Sequence, residues 1–195
     1  NVKAPDNVPI LPVRNLVLFP GVVSPILIGR DSSKIVIQKA EKKGLVIGVV
    51  SQRDPDTDVP LKDDLYETGV YAKVMKLFTL PNGNITAIVQ ATGRLHLTDI
   101  VASVPSLEGL VEPVPEIEPE KRDREFKTAM EDLRSLVAEY VNVNEELPDE
   151  AVFAIKNITN NTMALNFICS NLPFTVKEKM ALLETETVKQ RLFSV

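Results

Sequence analysis

GVYAKVMKLFTLPNGNITAIV, residues 69–89, decides how the first half of this 195-residue chain folds. Two apolar runs, Gly69 to Phe78 and Ile85 to Val89, flank Leu80-Pro81-Asn82-Gly83-Asn84. Asparagine and glycine tolerate positive φ at low cost, so Asn-Gly between apolar runs closes a β-hairpin. Upstream, Val8 to Val13 is short, apolar and bounded by proline, and Leu45 to Val50 is a near-continuous apolar run, as in a strand buried on both faces. Downstream, Arg94 to Ile100 alternates about Leu95 and Leu97, and Leu107 to Val111 reads as the last strand. One helix interrupts the strands. Asp31-Ser32-Ser33 offers cap oxygens, Ile35, Val36, Lys39, Ala40 and Lys43 follow at helical spacing, and Gly44 supplies the stop.

Val104 to Lys121 carries Pro105, Pro113, Pro115 and Pro119 among glutamates, a composition that favours an extended connector and stops helices. Beyond it the period becomes helical: Phe126, Met130, Leu133, Val137 and Tyr140 form one apolar stripe, which other helices must cover. The covers predicted are Glu150 to Ile158 after Pro148, Met163 to Asn171 closed by Pro173, a helix opened by the capping box Thr175-Val176-Lys177-Glu178, and a last helix from Thr185 or Glu186. The pattern is α+β: a mostly antiparallel sheet with a short helix over 1–117, then an α-helical bundle over 118–195. The proline connector predicts that the two are separable.

Composition narrows the function classes. Hydrophobic residues make up 44% and charged residues 25%, within the range of globular proteins. No apolar run approaches the roughly 20 residues of a membrane-spanning helix. The net charge is −5, and each half holds more Asp and Glu than Lys and Arg, so neither offers the basic stripe that nucleic acid requires. Cys169 sits in Ala164-Leu165-Asn166-Phe167-Ile168, a buried-looking face, and reads as a packed thiol in a reducing compartment. The chain begins Asn1-Val2-Lys3, with neither methionine nor a leader, as a processed or truncated piece of a longer protein would.

Leu11-Pro12-Val13-Arg14-Asn15-Leu16-Val17-Leu18-Phe19-Pro20-Gly21-Val22-Val23-Ser24-Pro25 resembles the opening signature of the amino-terminal domains of ATP-dependent Lon proteases. In the family's order follow Asp64-Leu65-Tyr66-Glu67-Thr68-Gly69-Val70, Pro81-Asn82-Gly83, a strand ending in Arg94, and Glu178-Lys179-Met180-Ala181-Leu182-Leu183-Glu184-Thr185 with Arg191-Leu192 beyond. The likeness covers nearly the whole chain from Val8. It departs at Ala91 (usually glycine), Met180 (commonly glutamine) and Asn166 (frequently aspartate). The resemblance implies a PUA-like sheet subdomain followed by a helical subdomain, in front of an AAA+ ATPase and a Ser-Lys serine protease assembled as a ring, a hexamer in the family. It implies a non-catalytic role: substrate recognition and support of assembly, with unfolded or damaged proteins and other copies of the parent chain as partners. A bacterial cytoplasm, or a mitochondrial matrix, is the implied compartment. A stand-alone adaptor built on the same domain is the alternative.

No cofactor is expected in this chain; ATP and magnesium would belong to the parent. Gly-x-x-x-x-Gly-Lys-Ser/Thr is missing from the sequence, whose eight glycines are scattered. Asp54, Asp56 and Asp58 are spaced as in a calcium loop, but Val59 stands where that loop needs glycine and Leu65 where it needs a bidentate glutamate. His96 has no metal-ligating neighbours in sequence, so no metal is expected. A surface for unfolded chain needs apolar groups outside the core, and turns keep them there most easily. The candidates for substrate contact are therefore Phe19, Val22 and Val23 around Pro20-Gly21, and Phe78 and Leu80 beside Asn82-Gly83. The competing role for Phe19 and Phe78 is to plug the sheet's own core.

Overall fold

The computed structural model describes residues 6–143, 153, 155 and 157–195. The chain divides into two compact units, Asn1–Pro115 and Glu116–Val195.

In the first unit, β1 (Asn7–Val13), β3 (Val46–Ser51), β4 (Thr68–Thr79), β5 (Ile85–Ala102) and β6 (Glu108–Val114) close on themselves, because β6 pairs with both β1 and β5. Every pairing is antiparallel except β1 with β3. That parallel pair needs a crossover, which β2 (Val23–Ile28) and α1 (Asp31–Lys43) provide. α1 packs against β1, β3 and β4 through Val36, Ile37 and Ala40. Inside the barrel lie Val8, Ile10, Val50, Leu65, Tyr71, Leu95, Leu97, Leu107 and Val111.

The hairpin forms as its sequence predicts. Gly83 takes φ 85°, its N–H donates to Leu80 O, and Asn82 Oδ1 accepts from Asn84 N. The two strands expected over Ile85–Val89 and Arg94–Ile100 are instead one 18-residue strand. Adjacent Tyr71 and Ala72 pair with Gly93 and Ala91, which leaves Thr92 as the extra residue of a bulge. The bulge lets β5 bend without breaking. Its first half pairs with β2 and its second half with β6.

Two further expectations are corrected. Asp31-Ser32-Ser33 does not cap α1 from outside: the helix starts at Asp31, the N-cap is Arg30, and no side chain caps it. Gly44 does end the helix in the left-handed region, donating its N–H to Ala40 O. The proline segment is not an idle connector. Pro113 lies within β6 opposite Leu95, and Pro115 O accepts from Arg94 Nη2 at 2.6 Å.

In the second unit, α2 (Arg124–Val143) buries Phe126, Met130 and Val137 along the expected stripe. It packs against α3 (Asn161–Asn171) and α5 (Val188–Ser194), and α4 (Val176–Leu183) joins them. Each short helix is capped locally: Asn160 accepts from Met163 N, and Thr175 with Glu178 and Thr187 with Gln190 form capping boxes. Such caps contribute about 1 kcal/mol each. Most of the helix expected over 150–158 lies outside the described residues. Arg191 is fully buried, donating to Leu182 O, to Asn166 Oδ1 at 2.6 Å and to Glu116 Oε1 at 3.0 Å. The asparagine at 166 thus serves as a buried hydrogen-bond acceptor, and Glu116 and Ile117 belong to the helical unit, since Ile117 O accepts from Val188 N.

Candidate functional site

β2 lies at the end of the sheet order and, among the described residues, pairs only with β5. Strand alternation turns Ile26 and Ile28 into the core and leaves Val23, Pro25 and Leu27 outside. Register then fixes their neighbours. Val23, Pro25 and Leu27 face Gln90, Ile88 and Thr86 of β5, and Ile88 and Thr86 face Lys76 and Phe78 of β4. The outer face of this three-stranded corner is therefore an apolar patch, with Val23 53%, Leu27 66% and Phe78 45% exposed, and Met75 equally open at the adjacent irregularity. Lys76 Nζ lies 4.9 Å from the centre of the Phe78 ring. Its aliphatic stem can cover apolar surface while its charge stays in water.

The structure separates the five sequence candidates. Val23 and Phe78 belong to this patch, and Leu80, half-buried, sits beside them at the hairpin turn. Phe19 and Val22 do not: both are buried, Phe19 completely. Gly21, at φ 82°, turns the chain so that Val22 O accepts from Ala91 N, while Gly21 N donates to Ala91 O. These bonds hold the turn against β5 and direct Phe19 and Val22 into the core. Leu27, Pro25, Ile88 and Met75 were missed by sequence reasoning. A signal existed for the first two, since proline within a strand marks an edge and sets the phase of its outward residues.

On the unpartnered side of β2, a cavity of about 400 Å³ opens between the strand and the segment Leu11–Leu16. Arg14, Arg30 and Ser33 line it among apolar residues. Arg30 donates to Pro12 O at 2.8 Å and to Asp58 O at 3.4 Å. Burial, then the nearby Arg14 charge, lower its pKa, against a smaller opposing effect of Asp58.

Elsewhere the chemistry is quiet. Cys169 is fully buried, and its pKa is pushed up to about 12 by that burial. Asp54 Oδ1 accepts from Asp56 N in a local turn, and no cluster of metal-ligating residues occurs among the described residues. Among the same residues, no helix is long and apolar enough to cross a membrane.

The family model of the ATP-dependent protease La (LON) substrate-binding domain matches residues 7–195. The chain is 38% identical over 191 residues to Lon protease of Flavobacterium johnsoniae, covering 98% of this chain and 23% of that protein. Lon protease of Parabacteroides distasonis gives the same identity and coverage. The chain thus spans less than a quarter of these curated relatives. Among solved structures, the N-terminal domain of Mycobacterium avium complex Lon protease superimposes with a TM-score of 0.73 at 25% identity, covering 96% of this chain and 94% of that one. A Lon N-terminal domain protein from Xanthomonas campestris shares the fold at a TM-score of 0.60 and 16% identity, covering 96% and 95%. Sequence and fold agree across nearly all of its length, and this chain belongs to the Lon substrate-binding domain family.

Proposed function

We propose that this domain captures exposed apolar segments of unfolded or damaged polypeptides on the outer face of β2, β5 and β4, on behalf of an ATP-dependent serine protease. The carrying observation is the patch itself: Val23, Leu27 and Phe78 stand exposed on a hydrogen-bonded corner rather than on a loose loop. A soluble domain keeps large apolar side chains together in water where they meet a partner. In this reading the AAA+ ATPase, its magnesium and the Ser-Lys protease lie in other parts of the whole protein, in a cytoplasmic setting. Binding by one copy is weak, because a few side chains offer little area. Several copies presented together on a ring, a hexamer by the family's example, raise the effective affinity.

The test replaces Leu27 and Phe78 with serine, singly, and measures both melting temperature and binding of a thiol-blocked, permanently unfolded reporter protein. Both side chains are largely in water, so melting temperatures should stay unchanged while reporter binding falls several-fold. Unchanged binding in both variants would sink the proposal. The same preparation should release no phosphate from ATP above a heat-killed control.

A further inference from the structure

We propose that the cavity beside β2 holds the carboxyl-terminal end of an extended polypeptide with an apolar last residue, its α-carboxylate gripped by Arg14, Arg30 and Ser33. The proposal rests on the reading of the neighbouring sheet face as a polypeptide-capturing surface, and it names which part of the polypeptide is held.

Three independent features meet at this cavity. The first is an edge. Among the described residues β2 has β5 on one side and no strand on the other, and an extended chain can add to such an edge through its backbone. Pro25 removes one donor from the strand, and beyond it alternate residues of Ile26–Ile28 turn their backbone groups away from β5.

The second is positive charge that nothing nearby fully offsets. The Arg14 charge lies close enough to Arg30 to disfavour the charged form of Arg30. Among the described residues Arg14 reaches Thr57 O and Asp58 Oδ1, both at 3.4 Å, and the Asp58 side chain is 92% exposed. Contacts of that length to a hydrated carboxylate are weak.

The third is an orphan hydroxyl. Ser33 is 4% exposed, lines the cavity, and its Oγ has no hydrogen-bond partner among the described residues. A buried hydroxyl without a partner is unfavourable, because folding takes it out of water and returns no hydrogen bond. It lies in the first turn of α1, whose leading amides receive no side-chain cap. A carboxylate arriving there would satisfy the hydroxyl and the arginines together.

The walls distinguish the occupant. Leu16, Pro25 and Leu27 line the same cavity and keep apolar surface open to water, surface that a free phosphate would leave bare and an apolar terminal side chain would cover. Asp58 is the anion already at hand, so it competes with the guest.

The experiment uses the whole chain and a short fluorescent peptide ending in leucine, prepared as free acid and as carboxamide, with affinity read by anisotropy. The acid should bind about tenfold more tightly, the worth of one charge-assisted hydrogen-bonding group. Ser33→Ala should narrow that gap without lowering the melting temperature, since it removes an unsatisfied hydroxyl. Asp58→Asn should widen it. Equal affinity of acid and amide would overturn the proposal. So would displacement of the peptide by inorganic phosphate at lower concentration than by N-acetyl-leucine. If the unfolded reporter binds while neither peptide does, this inference fails alone; if the reporter does not bind either, the capture reading fails beneath it.

Discussion

Arg191 carries the largest single electrostatic commitment among the described residues of the helical unit. It is fully buried, and its guanidinium is spread over a backbone carbonyl, an amide oxygen and the Glu116 carboxylate. Removing one member of such a group strands the others away from water. Arg191→Ala should therefore destabilise the helical unit by about 3–5 kcal/mol, measured by urea unfolding followed at a helical signal. A second ionic contact responds to pH. Asp123 is held below the usual carboxylate range first by the Phe126 backbone N–H and then by Lys189, whose ammonium lies 2.9 Å away. A carboxyl with a lowered folded pKa stabilises fully above its unfolded value, about 3.9, and that stabilisation fades as pH falls through the folded value. Melting temperature should fall on acidification below about pH 4, and Asp123→Asn should flatten that limb. Cys169 is predicted to be inert. With its pKa pushed up to about 12 and no exposure, it should resist a thiol reagent at neutral pH until denaturant is added.

At the scale of elements, the barrel is pinned by close backbone approach. A Cβ on Gly69 would meet Val49 O at 2.6 Å, and a carbonyl in a paired strand cannot swing aside as a side chain can. Gly69→Ala should cost about 1–3 kcal/mol by forcing β3 and β4 apart, read as a lowered urea midpoint at an unchanged slope. Local elements were legible in the sequence because their causes are local: Asn82-Gly83 for the hairpin, Gly44 for the end of α1, Thr175 and Glu178 for the start of α4. Closure of the barrel was not, since it depends on one extra residue at Thr92 that sends a single strand to two sets of partners. The candidate surface was legible only in part for the same reason. The Phe19-to-Val23 turn was singled out as a place where apolar side chains stay outside the core, but which of them leave the core is set by its bonds to Ala91, a long-range fact. Val22→Ser should consequently lower the melting temperature, unlike Leu27→Ser, because Val22 is 6% exposed and Leu27 66%.

For the whole molecule, the junction between the units decides how the chain can be cut. Composition placed the junction after residue 117, in the middle of a proline-rich stretch, whereas the structure divides at Pro115 and Glu116. The difference is energetic as well as formal. Glu116 supplies the carboxylate for buried Arg191, and Ile117 O accepts the Val188 N–H at the start of α5. A fragment beginning at Glu116 keeps both, whereas one beginning at Pro119 keeps neither and leaves a buried guanidinium without the Glu116 carboxylate. If the helical unit is self-sufficient, fragment 116–195 should show a helical circular dichroism spectrum and melt cooperatively. Fragment 119–195 should melt at least about 10 °C lower, as the loss of a buried ionic partner implies for a domain of this size. Equal melting temperatures would show that Glu116 contributes nothing to the unit's stability. A coil spectrum from both fragments would show that the helices need the rest of the chain to fold.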